Sequence, residues 1–264
     1  MLYKETKIGN AILTEYILEN SKEINPEKVR PAVVVCPGGG YEFVSDREKE
    51  QIALKFLGNG YSAFVLTYSV APAKYPTQLL EVSNATAYIR RNAKEYNIDK
   101  NKILVCGFSA GGHLAASLAT LWDDEIITQN SDIKYGENRP NGVILAYPVI
   151  TYGEKMHKGS FDSLIGGLDE SLKTKMSLEK QVSKNTPPAF IWHTFNDTVV
   201  PVENSLLFAT ALREHNIPFE LHIFPNGEHG LSLCNNITKG TNKHCEIWMD
   251  LCLKWIEEKF PLCI

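Results

Sequence analysis

The sequence predicts a one-domain α/β architecture, a mostly parallel sheet with helices on both faces. Short apolar runs alternate along the chain with stretches of helical periodicity. The runs lack the strict apolar/polar alternation of a half-solvated sheet, as strands buried on both sides should. The 264 residues fit one large α/β domain better than two ordinary ones.

In chain order, residues 11–18 read as part of an antiparallel hairpin. Strands follow at 32–36, 63–67, 103–106, 143–146 and 189–192, mostly rich in β-branched or aromatic residues. Residues 219–224 alternate more clearly and belong towards a sheet edge. Leu79, Val82, Ala85 and Ile89 mark one helical apolar face, followed by a polar loop at 97–101. Leu206, Ala209 and Leu212 mark another, ended by Asn216 and Pro218. The last helix turns Trp248, Leu251, Cys252 and Trp255 inward and Asp250, Lys254 and Glu257 outward. Two stretches break the rhythm, 123–141 and 151–186; insertions of this kind are either lids and pocket walls or surface excursions.

Composition excludes several classes. The chain is 44% apolar and 22% charged with a net charge of −4, ordinary for a soluble globular protein, and no Lys/Arg cluster with interleaved aromatics points to nucleic acid. No charged segment followed by an apolar core opens the chain, and no run approaches the ~20 apolar residues of a membrane span. A cytoplasmic protein with no membrane partner is expected; homo-oligomerisation is compatible with it. Of the six cysteines, Cys36, Cys106, Cys234, Cys245, Cys252 and Cys263, the first two end apolar runs and read as buried thiols, and Cys245 and Cys252 share a helical face. Neither a disulfide framework nor a metal pair is expected. With no H-E-x-x-H and no carboxylate–histidine cluster, the chemistry is predicted to need no metal and no cofactor.

Gly107-Phe108-Ser109-Ala110-Gly111 is a G-x-S-x-G sequence. The pattern alone is weak, but a strand at 103–106 precedes it and a helix at 113–119 follows. A nucleophilic serine needs that sharp strand-to-helix turn, and its neighbours at −2 and +2 must lack bulk. The turn also sets the hydroxyl at a helix N-terminus, where peptide dipoles favour developing negative charge. The competing reading is a glycine-rich turn without chemistry.

Upstream, the strand at 32–36 runs into Pro37-Gly38-Gly39-Gly40-Tyr41. Glycines there leave backbone N–H groups free to face a ligand, as an oxyanion hole requires. Gly39 is the first candidate donor and Gly40 the second, with Ala110 as the donor after the nucleophile. A phosphate-binding loop is the rival, weakened because no Lys-Ser/Thr and no G-x-G-x-x-G follows.

Serine is a poor nucleophile until a base takes its proton. Of seven histidines, His229 lies directly after the 219–224 strand, where the base of such a Ser…Asp…His order belongs. His222 and His244 read as structural, and His113 as a packing or hydrogen-bonding residue. Asp197 follows the 189–192 strand and is the candidate to orient the base. Asp162 and Asp169 are distant alternatives, and the Glu228 side chain is expected to point elsewhere.

Taken together, Pro37-Gly38-Gly39-Gly40-Tyr41, Tyr68-Ser69-Val70-Ala71-Pro72, the segment 107–116, His193-Thr194-Phe195-Asn196-Asp197 with Val200-Pro201, and Glu228-His229-Gly230 resemble the bacterial esterase/lipase-type α/β hydrolases that include acetyl esterases and acetylxylan esterases. The resemblance spans roughly residues 33–230. It implies the α/β-hydrolase fold and removal of short acyl groups, often acetyl, from alcohols or sugar hydroxyls. It assigns Ser109, Asp197 and His229 to a triad and Gly39, Gly40 and Ala110 to the oxyanion hole. Pro37 stands where hormone-sensitive-lipase relatives carry a histidine, which separates the chain from that sister family.

The substrate expected is therefore a small ester. Tyr41, Tyr147 and Phe195 lie where this fold places its ligand and are candidate pocket residues. The alternatives are a peptidase or acyltransferase using the same triad, and an inactive scaffold that binds a small ligand. Paired carboxylates for glycoside cleavage are not evident in the sequence.

Overall fold

The computed structural model describes residues 1–166, 170–238 and 240–262. Eight strands form one sheet: β1 (Leu2–Ile8), β2 (Ala11–Ile17), β3 (Arg30–Cys36), β4 (Ser62–Thr67), β5 (Ile98–Phe108), β6 (Gly142–Ala146), β7 (Ala189–Thr194) and β8 (Phe219–Phe224). Their spatial order is β1-β2-β4-β3-β5-β6-β7-β8. The pairs β1/β2 and β2/β4 are antiparallel; every other pair is parallel. The expected hairpin is thus β1 with β2, and β8 is one of the two edge strands. One difference lies at 97–101: Asn97 turns with φ of 53°, but β5 already begins at Ile98, paired with Arg30 across a register shift before Ala32.

The helices are α1 (Glu50–Gly58), α2 (Thr77–Arg91), α3 (Ala110–Leu121), α4 (Glu125–Asn130), α5 (Lys158–Ile165), α6 (Glu170–Lys175), α7 (Glu203–Glu214) and α8 (Trp248–Lys259). They divide between two apolar layers. Ala32, Val34 and Cys36 of β3 point into the layer shared with α2, α3 and α7. Val33 and Val35 point the other way, into the layer of α1 and α8. Along β7, Ala189 and Ile191 alternate with Phe190 and Trp192 in the same manner. Both faces are dry, so both sets of positions must be apolar, and that is why these strands show no alternation in the sequence.

The helix α3 runs back from the carboxyl ends of the strands, so residues 123–141, which join it to β6, lie at the amino ends. Arg90 on α2 binds the carbonyls of Glu137 and Arg139 there. Residues 151–186 leave β6 at the opposite, carboxyl end and carry α5 and α6. No helix among the described residues is long and apolar enough to cross a membrane. Cys36, Cys106, Cys234, Cys245 and Cys252 are buried free thiols; Cys263 lies outside the described residues.

Candidate active site

Five loops at the carboxyl ends of parallel strands meet here, the position at which open α/β sheets bind ligands. β5 ends at Phe108 and α3 starts at Ala110, leaving Ser109 alone at the turn, with φ of 53° and ψ of −119°. That left-handed strain holds because the surroundings demand it. A Cβ on Gly107 would fall 2.1 Å from the Gly111 carbonyl oxygen, and one on Gly111 would fall 2.1 Å from that of Cys36. Neither position admits a side chain. The Ser109 N–H donates to Ala146 O at 3.0 Å, tying the turn to the end of β6.

Ser109 Oγ lies 2.8 Å from His229 Nε2, and His229 Nδ1 lies 2.6 Å from Asp197 Oδ2. Since a carboxylate only accepts, Nδ1–H donates to it, and the bare Nε2 faces the serine hydroxyl. Asp197 is buried, with Oδ1 accepting the N–H groups of Val199 and Val200, both at 2.9 Å. Burial alone would push its carboxyl up. Hydrogen bonds from His193 and His229, the electrostatic pull of the His229 ring and the Val200 N–H outweigh that and hold it well below the usual carboxylate range.

The N–H groups of Gly39, Gly40 and Ala110 have no acceptor among the described residues, whereas Gly38 N–H is taken by Glu48 Oε2 at 2.8 Å. Gly39 has φ of 126° and a Cβ there would meet Phe43 O at 2.0 Å, so this turn demands glycine. Gly39 and Gly40 line a cavity of ≈ 220 Å³ with Phe43, Ser109, His157 and His229.

The three expected pocket aromatics do not line this cavity. Tyr41 is buried, with its hydroxyl 3.0 Å from His113 Nδ1 and its ring edge-on to Tyr68. Tyr147 is buried behind His229, its ring centroid 5.1 Å from that of the imidazole. Phe195 is 69% exposed, outside the cavity. Each follows its strand end as the fold predicts, but side-chain direction is set by packing, which loop sequence does not encode. Phe43 and Val199, both exposed, stand at the cavity instead.

His113 donates from Nε2 to Met176 O at 3.0 Å, and burial lowers it to about 4 against the pull of that carbonyl, leaving it neutral. His222 pairs with Glu220, and the His244 ring packs edge-on to Phe224. Asp162 is exposed and paired with Lys158; Glu228 is exposed; Asp169 lies outside the described residues. Of the two polar stretches, 151–186 supplies His157 and Gly159 to the cavity wall, and 123–141 supplies nothing.

Sequence reasoning missed His157, Glu48 and His193. His157 caps α5 through Ser160, and burial together with the His229 charge lowers its pKa against the opposing charges of Asp197 and Glu42. The one available signal was the four-residue spacing of His193 and Asp197. Among the described residues no cluster of His, Cys, Asp and Glu has the form of a metal site.

A sheet of this order, with a strained serine between β5 and α3 and a histidine and an aspartate converging on it, is that of the α/β hydrolases. A solved structure of an acetyl ester-xyloside bifunctional hydrolase from Caldicellulosiruptor lactoaceticus superposes with a TM-score of 0.85 at 41% identity, covering 96% of this chain and 89% of that one. An endo-1,4-beta-xylanase B of Butyrivibrio fibrisolvens is 47% identical over 220 residues, 80% of this chain and 34% of that protein. An acetylxylan esterase of Xylanibacter ruminicola is 32% identical over 206 residues, 75% of this chain and 40% of that protein. The chain therefore spans only about a third to two fifths of the length of these two relatives. The BD-FAE family model matches residues 21–212, and the chain belongs to that family.

Proposed function

We propose that this chain is a serine carboxylesterase that hydrolyses short-chain esters, chiefly acetyl, through an acyl-enzyme on Ser109. The observation that carries this is the hydrogen-bonded line from Ser109 Oγ through His229 to Asp197. Ser109 Oγ attacks the ester carbonyl while His229 Nε2 takes its proton; the imidazolium then protonates the departing alkoxide. Gly39, Gly40 and Ala110 N–H groups stabilise the oxyanion, an effect of ~3–4 kcal/mol per donor in measured systems. A water activated by His229 releases the acid in the reverse sequence.

A cavity of ≈ 220 Å³ favours a small acyl group, since pockets for drug-sized ligands begin near ~300 Å³. Acetylated sugars are the substrate class favoured by the relatives, which include an acetylxylan esterase. Two carboxylates, Glu42 and Glu48, line the cavity, but both oxygens of Glu48 already accept hydrogen bonds. Glu48 is thereby committed to the scaffold, which favours ester over glycoside cleavage at this site.

The test is a p-nitrophenyl ester series from acetyl to octanoyl beside aminoacyl amides and acetylated xylo-oligosaccharides. Highest kcat/KM for acetyl, with Ser109 labelled by a fluorophosphonate, is expected. No ester hydrolysis, or full activity in Ser109→Ala, would overturn it.

A further inference from the structure

Glu48 is a buried carboxylate at the cavity, 2% exposed, that takes no part in the reaction above. Its place is electrostatically adverse, because a fixed negative charge near a developing oxyanion raises the barrier. Burying a carboxylate is also costly unless it is well bonded. No cation among the described residues pairs with it. What it has instead is two donors on two different loops. Oε2 accepts Gly38 N–H at 2.8 Å, and Oε1 accepts the Tyr147 hydroxyl at 2.6 Å.

The Tyr147 oxygen in turn accepts Ser232 N–H at 2.9 Å, three residues past the base. Ser232 Oγ closes a second tie, donating to the carbonyl of Arg47 at 2.6 Å, and Ser45 N–H donates to Gly38 O at 2.9 Å. The short turn Asp46–Glu48 therefore grips the glycine loop on one side and the His229 loop on the other. By occupying Gly38 N–H, Glu48 leaves Gly39 and Gly40 among the loop's N–H groups that have no acceptor among the described residues.

We propose that Glu48 is a positioning residue that couples the glycine loop to the base loop, setting Gly39 and Gly40 and His229 in register about Ser109. This rests on the esterase reading above. Burial, and next the Glu48 charge, push the Tyr147 phenol well above its ordinary value, so it stays protonated and donates throughout the working range. Glutamine at 48 offers one oxygen instead of two, so in Glu48→Gln either Gly38 N–H loses its acceptor or the Tyr147 contact reverses and strands the phenol proton. Tyr147→Phe severs the path from the Glu48 carboxylate to Ser232 N–H, leaving Gly38 bonded and Ser232 Oγ on Arg47 O.

Steady-state kinetics and inhibition by a trifluoromethyl ketone, whose serine adduct places an oxyanion in the hole, test this. Glu48→Gln is expected to lower kcat by ~10- to 100-fold with KM within about twofold, and to weaken the ketone in proportion to kcat/KM. Tyr147→Phe lowers kcat as well, and the double variant is no worse than Glu48→Gln alone by more than about twofold. Wild-type kcat in folded Glu48→Gln, or additive losses, overturns the proposal. If Glu48→Gln does not fold, Tyr147→Phe decides alone, and unchanged kcat there overturns it. Amide hydrogen exchange, read without substrate, must quicken in Tyr147→Phe at both 38–40 and 229–232; quickening confined to 229–232 overturns the coupling. Lack of esterase activity in the wild type would sink the proposed function yet leave this exchange result readable.

Discussion

His193 and Asp197 lie 3.3 Å apart at the end of β7, with His193 Nε2–H beside the same Oδ2 that accepts from His229. The same N–H also points at Val200 O, 3.0 Å away, while Nδ1 accepts the Ser205 hydroxyl at 2.8 Å. Asp197 is thus held from behind by a fully buried histidine.

His193→Gln should lower kcat/KM by about tenfold, the effect of one charge-assisted hydrogen bond of ~1.5 kcal/mol. The Asp197 carboxyl lies below its ordinary 3.8, so it contributes stability above that pH and loses it as pH falls further. The stability gap between wild type and variant should therefore narrow below pH 3.8 in denaturant titrations. A gap that stays constant down to pH 2 contradicts this role for His193.

Substitutions in the proposed triad separate chemistry from folding. Ser109→Ala should reduce kcat by ~10⁵-fold or more, and Asp197→Asn by ~10⁴-fold through the wrong histidine tautomer. Melting of Ser109→Ala should stay close to that of the wild type. Residual activity within a hundredfold of wild type in either variant would contradict the assignment.

The buried His113 gives a pH signature away from the chemistry. Its pKa falls from 6.5 to about 4 on folding. The unfolded chain therefore binds more protons between those values, and stability drops as pH falls from about 6.5 to 4. His113→Asn should flatten that slope in unfolding curves recorded across the range. An unchanged slope would show that another group carries it.

Gly111→Ala should be among the most disruptive single changes. Its Cβ would sit 2.1 Å from Cys36 O and 2.3 Å from Pro37 O, backbone atoms that cannot step aside. A loss of ~3 kcal/mol or more, or failure to accumulate folded protein, is expected by thermal melting. A melting point within 2 °C of wild type, on the order of a ~0.5 kcal/mol change for a chain of this size, would contradict the close approach.

By itself the sequence located seven of the eight strands, all but β1, though not the early start of β5, and the order in which Ser109, Asp197 and His229 follow them. Local rules carry that much: a strand buried on both faces must be apolar throughout, and a nucleophile turn must have Gly107 and Gly111 where a Cβ would strike backbone. Only the tertiary structure decided which side chains surround the site. Tyr41, Tyr147 and Phe195 sit in loops at the right end of the sheet, yet two pack inward and one turns to solvent. Glu48 carries no local signal of its role and His193 only its four-residue spacing from Asp197, because their partners lie on other loops or across a turn. Side-chain direction in a loop is the outcome of packing and hydrogen bonding between segments distant in the chain, and that information exists only once the chain has folded.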